Sequence, residues 1–96
     1  MIIFVDIDET ICINSKDRDY SKAKPIDDNI KKINNLYDEG NTIIYWTARG
    51  TVTGIDWHEI TKKQLKTWGA KHHECRLGKP HYDLIICDKS KRIEEI

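Results

Sequence analysis

The chain has 96 residues, with 16 Lys and Arg against 16 Asp and Glu, so its formal net charge is zero at pH 7. This length suits one domain and leaves no room for two. A neutral chain lacks the basic excess of most proteins that bind a phosphate backbone, which argues against nucleic acid as a partner. The apolar runs are far shorter than the ~20 residues of a membrane-spanning helix, and no basic leader precedes the first of them. We therefore expect a cytoplasmic protein that contacts no membrane.

Apolar runs and helical periodicity alternate in the first half of the chain. Met1–Asp6 is an apolar run that ends in an acid, a pattern typical of a buried parallel strand. The polar stretch Ile11–Pro25 predicts a long loop with room for a small hairpin. From Asp27 apolar residues recur at three- and four-residue spacing, which predicts a helix with Asp27 or Asp28 as its N-cap and Gly40 as its end.

The second half repeats this alternation. Thr42–Thr47 is another apolar run that predicts a strand, and a second helix is expected from a cap at Asp56 to Gly69. Three further elements are expected, namely short strands over Lys71–Cys75 and Asp83–Asp88 and a short helix over Lys89–Ile96.

The alternation of strands and helices predicts the fold class. We expect an α/β fold, a three-layer Rossmann-like parallel sheet with helices on both faces, as one domain over residues 1–96. In such folds ligands bind beyond the carboxyl ends of the strands. Because Asp6, Thr47 and Asp88 end three apolar runs, we expect these side chains to lie along one edge of the sheet.

Two aspartates follow the first predicted strand. Asp6 and Asp8 are alternate residues, which point to the same side of an extended chain about 6.6 Å apart. Two neighbouring carboxylates repel unless a cation or a proton compensates. A hard divalent cation fits this pair better than a transition metal, because no His or Cys accompanies it.

Four segments, in order, resemble the motifs of the haloacid dehalogenase superfamily. The first is Asp6-Ile7-Asp8-Glu9-Thr10, the second is Thr47 within Thr47-Ala48-Arg49, the third is Lys79 within Gly78-Lys79-Pro80, and the fourth is Asp88 after Leu84–Cys87. They span nearly the whole chain. The second half is also similar to small phosphatases encoded with capsule and surface-polysaccharide genes.

The resemblance implies a phosphomonoesterase that depends on Mg²⁺. Asp6 would attack phosphorus and form an aspartyl-phosphate, and Asp8 would act as general acid and then general base. Mg²⁺ would be held by Asp6, the main-chain carbonyl of Asp8, and Asp88. Thr47 and Lys79 would contact the phosphoryl group, and Lys79 would also steady the nucleophile.

Other residues near these motifs are further candidates for contacts with substrate. Thr10, Ala48 and Arg49 are candidate phosphate contacts, and Arg49 can equally serve as a structural ion pair. Cys87 stands where the family often has an acid, so we expect weaker metal binding than in relatives. The cationic and aromatic side chains of the first loop are candidate substrate contacts, namely Lys16, Arg18, Tyr20, Lys22 and Lys24.

The short chain bears on the substrate as well. Neither Ile11–Pro25 nor Arg76–Gly78 is long enough to hold a cap domain, so we expect an open site. An open site suits a phosphorylated sugar or small alcohol, and the resemblance points to capsule or surface polysaccharide biosynthesis. Two alternatives remain: a nucleic-acid or nucleotide end-phosphatase, and a non-catalytic module that accepts a phosphoryl group, as receiver domains do, or binds Mg²⁺. A chain of this length has a small hydrophobic core, which is compatible with a homo-oligomer.

Overall fold

The structure is a computed structural model that describes residues 1–17 and 19–96. Its strands are β1 (Ile2–Val5), β2 (Cys12–Ile13), β3 (Lys24–Pro25), β4 (Thr42–Trp46) and β5 (Glu74–Arg76). Its helices are α1 (Asp27–Asp38) and α2 (His58–Thr67), with 3₁₀ turns at Tyr20–Lys22 and Ile93–Glu95. No helix in the described ranges is both long and apolar enough to span a membrane.

The central sheet has three parallel strands in the order β1–β4–β5. This confirms the predicted α/β class and parallel pairing. β1 and β4 lie within the predicted runs, and β5 begins at Glu74 rather than Lys71. Because the strands are parallel, the residues that follow β1, β4 and β5 all lie at one edge of the sheet.

Both helices form where the periodicity predicts them, but their caps differ from expectation. α1 begins after Ile26, which has no capping side chain, and Asp27 and Asp28 lie in its first turn. Carboxylates there stabilise the positive end of the helix dipole. The predicted N-cap was therefore wrong. In α2 the Asp56 carboxylate accepts a hydrogen bond of 2.9 Å from the His58 N–H, so that residue does satisfy an amide of the first turn.

The core lies on one face of the sheet. Val5 pairs with Tyr45 in the parallel register, so their side chains share that face. Buried Ile30 of α1 and Leu65 of α2 belong to the same apolar cluster. On the opposite face Phe4 is exposed. Both helices therefore contribute to the cluster on one face of the sheet, and helices on both faces stay a prediction.

The predicted strand over Asp83–Asp88 is not formed. Its apolar side chains are exposed, Ile86 by 91%, and in the described structure the segment pairs with no strand of the sheet. An apolar run is compatible with a strand, but a strand also requires a partner edge, which local sequence does not specify. The predicted tail helix is reduced to the 3₁₀ turn Ile93–Glu95.

The loop over Ile11–Pro25 is folded but small. β2 and β3 pair as the expected short hairpin, and Asp19 caps the intervening 3₁₀ turn by accepting a hydrogen bond from the Ser21 N–H. Over the described residues of this loop there is no further helix or strand.

One buried group of β4 gives a testable prediction about stability. Tyr45 is completely buried, and its hydroxyl has no hydrogen-bond partner among the described residues. Burial raises the pKa of Tyr45, so the hydroxyl stays neutral. We expect Tyr45→Phe to raise the free energy of unfolding by about 1 kcal/mol, because it removes an unpaired buried polar group. Urea denaturation should show a higher midpoint with an unchanged slope, while the partly buried Tyr37 serves as the control position. A lower midpoint would contradict this reading.

Candidate functional site

A tight turn after β1 carries the two aspartates to the edge of the sheet. Ile7 is fully buried between them and anchors the turn, while Asp6 and Asp8 remain partly accessible. Glu9 has φ of +60°, and its N–H donates to the Cys12 carbonyl at 2.9 Å. A non-glycine residue in the left-handed region is strained, and such residues cluster at functional sites. The turn thus holds both carboxylates just beyond the end of β1.

Asp6 is paired with Lys79. Lys79 Nζ lies 3.1 Å from Asp6 Oδ2, and Asp6 Oδ1 accepts a hydrogen bond of 2.9 Å from the Ile7 N–H. The Lys79 backbone lies beside the end of β4, where its N–H donates a hydrogen bond of 3.1 Å to the Thr47 carbonyl. The structure therefore brings Lys79, which the resemblance named, to Asp6 and to the turn at Thr47.

The Lys79 ammonium lies among aromatic rings. Nζ is 5.9 Å from the Trp46 ring centroid and 5.1 Å from that of Tyr82. Burial opposes its charged form, but the interactions with Tyr82 and Asp6 outweigh burial, so the pKa of Lys79 is raised above its ordinary 10.5. Lys79 is therefore a cation at neutral pH, beside the more exposed carboxylate of Asp6.

The turn after β4 directs Arg49 inward. Thr47 is completely buried, and its Oγ1 accepts a hydrogen bond of 3.2 Å from the Arg49 N–H. Gly50 has φ of +80°, and a Cβ there would lie 2.1 Å from the Ile55 carbonyl oxygen, so this position requires glycine. Ala48 accepts a backbone hydrogen bond within the same turn. Thr47 and Ala48 were predicted as phosphate contacts. In the structure both accept hydrogen bonds within the turn after β4.

Arg49 pairs with Asp8. Its side chain is fully buried, and Nη2 lies 2.8 Å from Asp8 Oδ1, whereas the Asp8 side chain is 21% exposed. Nε donates to both oxygens of the same carboxylate, at 3.2 and 3.1 Å. Of the two roles that the sequence left open for Arg49, the structure forms the ion pair.

Several residues around this pair were not found by sequence reasoning. Arg49 Nη1 donates to Thr61 Oγ1 and Gln64 Oε1, and Gln64 Nε2 donates to the Tyr20 carbonyl at 2.6 Å. Thr61 lies one helical turn before the buried Leu65, which is a sign of burial, but no local pattern marks Gln64. They enter the site only because α2 packs beside the first loop.

Cys12 also touches the Asp8 carboxylate. Its Sγ donates to Asp8 Oδ1 at 3.5 Å, and it lies 3.8 Å from Arg49 Nη2. Burial, followed by the nearby negative charge of Asp8, raises the pKa of Cys12 to about 12. The thiol therefore stays protonated and unreactive at neutral pH.

The other predicted contacts lie apart from the Asp6–Lys79 pair. The Thr10 N–H donates to Ile7 and its carbonyl accepts from the Asn29 side chain, which ties the turn to α1. Lys22 is paired with Asp17 at 3.0 Å on the surface. Lys16 and Lys24 are exposed, Tyr20 lies against Arg49, and Arg18 falls outside the described residues.

The predicted Mg²⁺ ligands have different surroundings in the structure. Asp6 is engaged by Lys79 and Asp8 by Arg49, while Asp88 lies on the exposed segment that does not join the sheet. Across residues 1–17 and 19–96, no three His, Cys, Asp or Glu side chains are close enough together to hold a metal ion. Asp6 and Asp8 thus each have a protein cation as a partner.

Comparison with known proteins gives one structural likeness. A crystal structure of a structural-genomics target from Vibrio cholerae matches with a TM-score of 0.87 and 26% sequence identity, over 98% of this chain and 85% of that chain. No protein-family model and no curated protein matches the sequence. The likeness supports the α/β fold described above and concerns no activity.

Proposed function

We propose that this chain is a phosphomonoesterase of the haloacid dehalogenase type, with the Rossmann-like topology of that superfamily. The observation that carries the proposal is the pair of aspartates at the carboxyl edge of the sheet, each with its own cation. Asp6 faces Lys79 and is 41% exposed, while the less exposed Asp8 is held by a buried arginine. Two carboxylates in different environments suit two different roles in one reaction.

The more exposed carboxylate is the nucleophile of the proposed reaction. An Asp6 oxygen attacks phosphorus, the bond from phosphorus to the ester oxygen breaks, and an aspartyl-phosphate forms. Asp8 delivers a proton to the leaving alkoxide. Asp8 then takes a proton from water, the resulting hydroxide attacks phosphorus, and the bond to Asp6 breaks to release phosphate. Lys79 stabilises negative charge on the transferring group throughout.

The substrate class is part of the proposal. The folded loop over Ile11–Pro25 adds only a hairpin and a 3₁₀ turn, so no separate domain closes over Asp6 in the described structure. Such an open edge admits a bulky molecule whose phosphate projects from it. We therefore favour a phosphorylated sugar or small alcohol, and the sequence resemblance favours a role in capsule or surface polysaccharide biosynthesis. The proposed location is the cytoplasm.

Mg²⁺ dependence is a separate part of the proposal. The steps above use only side chains of the chain. The sequence resemblance favours Mg²⁺ as cofactor. An assay with and without the ion decides whether the reaction depends on it.

Phosphate release from an activated aryl phosphate tests the function directly. We expect turnover by the wild-type chain, and a panel of phosphorylated sugars and short alcohols should rank above phosphorylated oligonucleotides. Each assay is run with Mg²⁺ and with EDTA, and Mg²⁺ dependence predicts loss of release in EDTA. If no ester releases phosphate under either condition, the proposed phosphatase activity is refuted. A stable phosphorylated protein without turnover would instead support the receiver-like alternative.

A further inference from the structure

We propose that Arg49 is a positioning residue, which holds the Asp8 carboxylate in place for proton transfer and does not bind the phosphate. This inference rests on the proposed function. Its basis is the hydrogen bonding of a guanidinium that is fully buried and lies between the first turn, the first loop and α2.

Every N–H group of Arg49 already has an acceptor. A guanidinium has five N–H groups, one on Nε and two on each Nη. Nε is shared between the two oxygens of Asp8, and Nη2 donates to Asp8 Oδ1 at 2.8 Å and to Cys12 Sγ at 3.8 Å. Nη1 donates to Thr61 Oγ1 at 3.1 Å and to Gln64 Oε1 at 2.6 Å. A phosphate could contact this side chain only by displacing one of these partners.

The guanidinium is fixed from the side opposite Asp8. Thr61 and Gln64 are three residues apart on α2, so they lie on one face of the helix. Both accept a hydrogen bond from Arg49 Nη1. The Tyr20 ring covers the guanidinium plane at 4.8 Å from its central carbon, and the Tyr20 carbonyl accepts from Gln64. The plane of Arg49 is thereby set before any substrate arrives.

This fixed plane sets the position of Asp8. A guanidinium fork binds a carboxylate through two nitrogens at once, which defines orientation as well as distance, whereas a lysine ammonium supplies only a point charge. Apart from Arg49, the Asp8 carboxylate accepts only the weak hydrogen bond of 3.5 Å from the Cys12 thiol among the described residues. Arg49 supplies the missing constraint on the carboxylate.

The consequence is an effect on rate rather than on substrate binding. General acid–base catalysis requires the carboxyl oxygen within hydrogen-bond distance of the proton that moves. Misplacement of a catalytic group by about 1 Å can cost about 100-fold in rate. A residue that acts only through Asp8 should therefore lower kcat without changing KM, and should have no effect once the Asp8 carboxylate is gone.

A double-mutant cycle on kcat tests this inference with the intact chain. With an aryl phosphate as substrate, we expect Arg49→Gln to lower kcat by about 100-fold at unchanged KM, and Arg49→Lys to recover little of it. In the Asp8→Asn background the Arg49→Gln change should have no further effect on kcat. Lys71→Gln is the control, because it removes a 2.8 Å ion pair with Asp38 on the surface.

Two other outcomes would overturn the inference. A phosphate contact predicts a raised KM for Arg49→Gln, a good recovery by Arg49→Lys, and the same loss in the Asp8→Asn background. A purely structural role predicts a lower melting temperature with kcat per folded molecule unchanged. If the Arg49 variants do not fold, Gln64→Met supplies the test, because it removes one acceptor of the half-buried network and leaves Arg49 and Asp8 in place. It should lower kcat several-fold in the wild-type background and not in Asp8→Asn.

Failure of the proposed function is separable from failure of this inference. If the wild-type chain releases no phosphate, the function fails, and the positioning of Asp8 is judged from melting temperatures instead. Asp8→Asn, Arg49→Gln and the double variant should then shift the melting temperature non-additively, because either single change breaks the same contact. Additive shifts would contradict a specific coupling between these two side chains.

Discussion

Asp6→Asn is expected to abolish phosphate release, by at least about 10⁴-fold in kcat, as removal of a covalent nucleophile does in other enzymes. An asparagine amide cannot form the acyl-phosphate bond. The fold should survive, since the Asn Oδ1 can still accept the 2.9 Å hydrogen bond from the Ile7 N–H that Asp6 Oδ1 accepts. The measurement is phosphate release from an aryl phosphate, with circular dichroism and melting temperature to verify folding.

The matched control for this variant is Asp38→Asn. Asp38 is also a carboxylate paired with a lysine, at 2.8 Å from Lys71 Nζ, but it lies on the surface away from the turn after β1. We expect its activity to equal that of the wild type. Substantial turnover by Asp6→Asn would show that the nucleophile is another residue and would remove the chemical basis of the proposed function.

Lys79→Met is expected to lower kcat by about 10²- to 10³-fold, comparable to the loss of one group that stabilises charge in a transition state. Lys79 Nζ lies 3.1 Å from Asp6 Oδ2 and is largely shielded from water, so its charge acts strongly on the nucleophile and on a phosphoryl group bound there. Methionine keeps much of the side-chain volume beside Trp46. Steady-state kinetics on an aryl phosphate measure the effect, with Lys71→Met as the surface control.

The pH dependence of this effect has a definite sign. Because interactions with Tyr82 and Asp6 outweigh burial and raise the pKa of Lys79 above 10.5, the residue is charged at every pH below that value. The ratio of wild-type to variant kcat should therefore be constant from about pH 6 to 9, well below the ordinary lysine pKa. The stability that charged Lys79 contributes is present below the unfolded-state pKa and is lost as the pH rises through the folded-state pKa. A ratio that falls near neutral pH would refute this assignment.

The elements with a strong local pattern were predictable from sequence. The runs that form β1 and β4 are short, apolar and bounded by polar residues, and the three- and four-residue spacing in α1 matches one face of a helix. The convergence of Asp6 and Thr47 at one edge followed from parallel pairing alone. The lysine of the third motif was placed by its order in the sequence, and the structure puts its ammonium beside Asp6.

The segment over Asp83–Asp88 shows where local pattern is insufficient. Its central residues Leu84–Cys87 are apolar, as those of β1 are, yet the segment stays outside the sheet in the described structure. Pairing of a strand is decided by contact with a remote edge, and hydrophobicity along the segment carries no information about that edge. The Mg²⁺ ligand set that the resemblance implies includes Asp88 of this segment, and it stays a prediction.

The sequence by itself determined the order of strands and helices in the central α/β unit and the placement of two aspartates beyond a buried strand. These features depend on the spacing of apolar residues and on the length of apolar runs, which are properties of a few neighbouring residues. Only the tertiary structure decided the partner of Asp8. Arg49 is separated from Asp8 by 41 positions in the chain, and it meets that carboxylate because the turn after β4 points it inward between α2 and the first loop. The same side chain in an open turn would have been free to bind phosphate. Its burial, with every N–H engaged, makes it a partner of Asp8 instead.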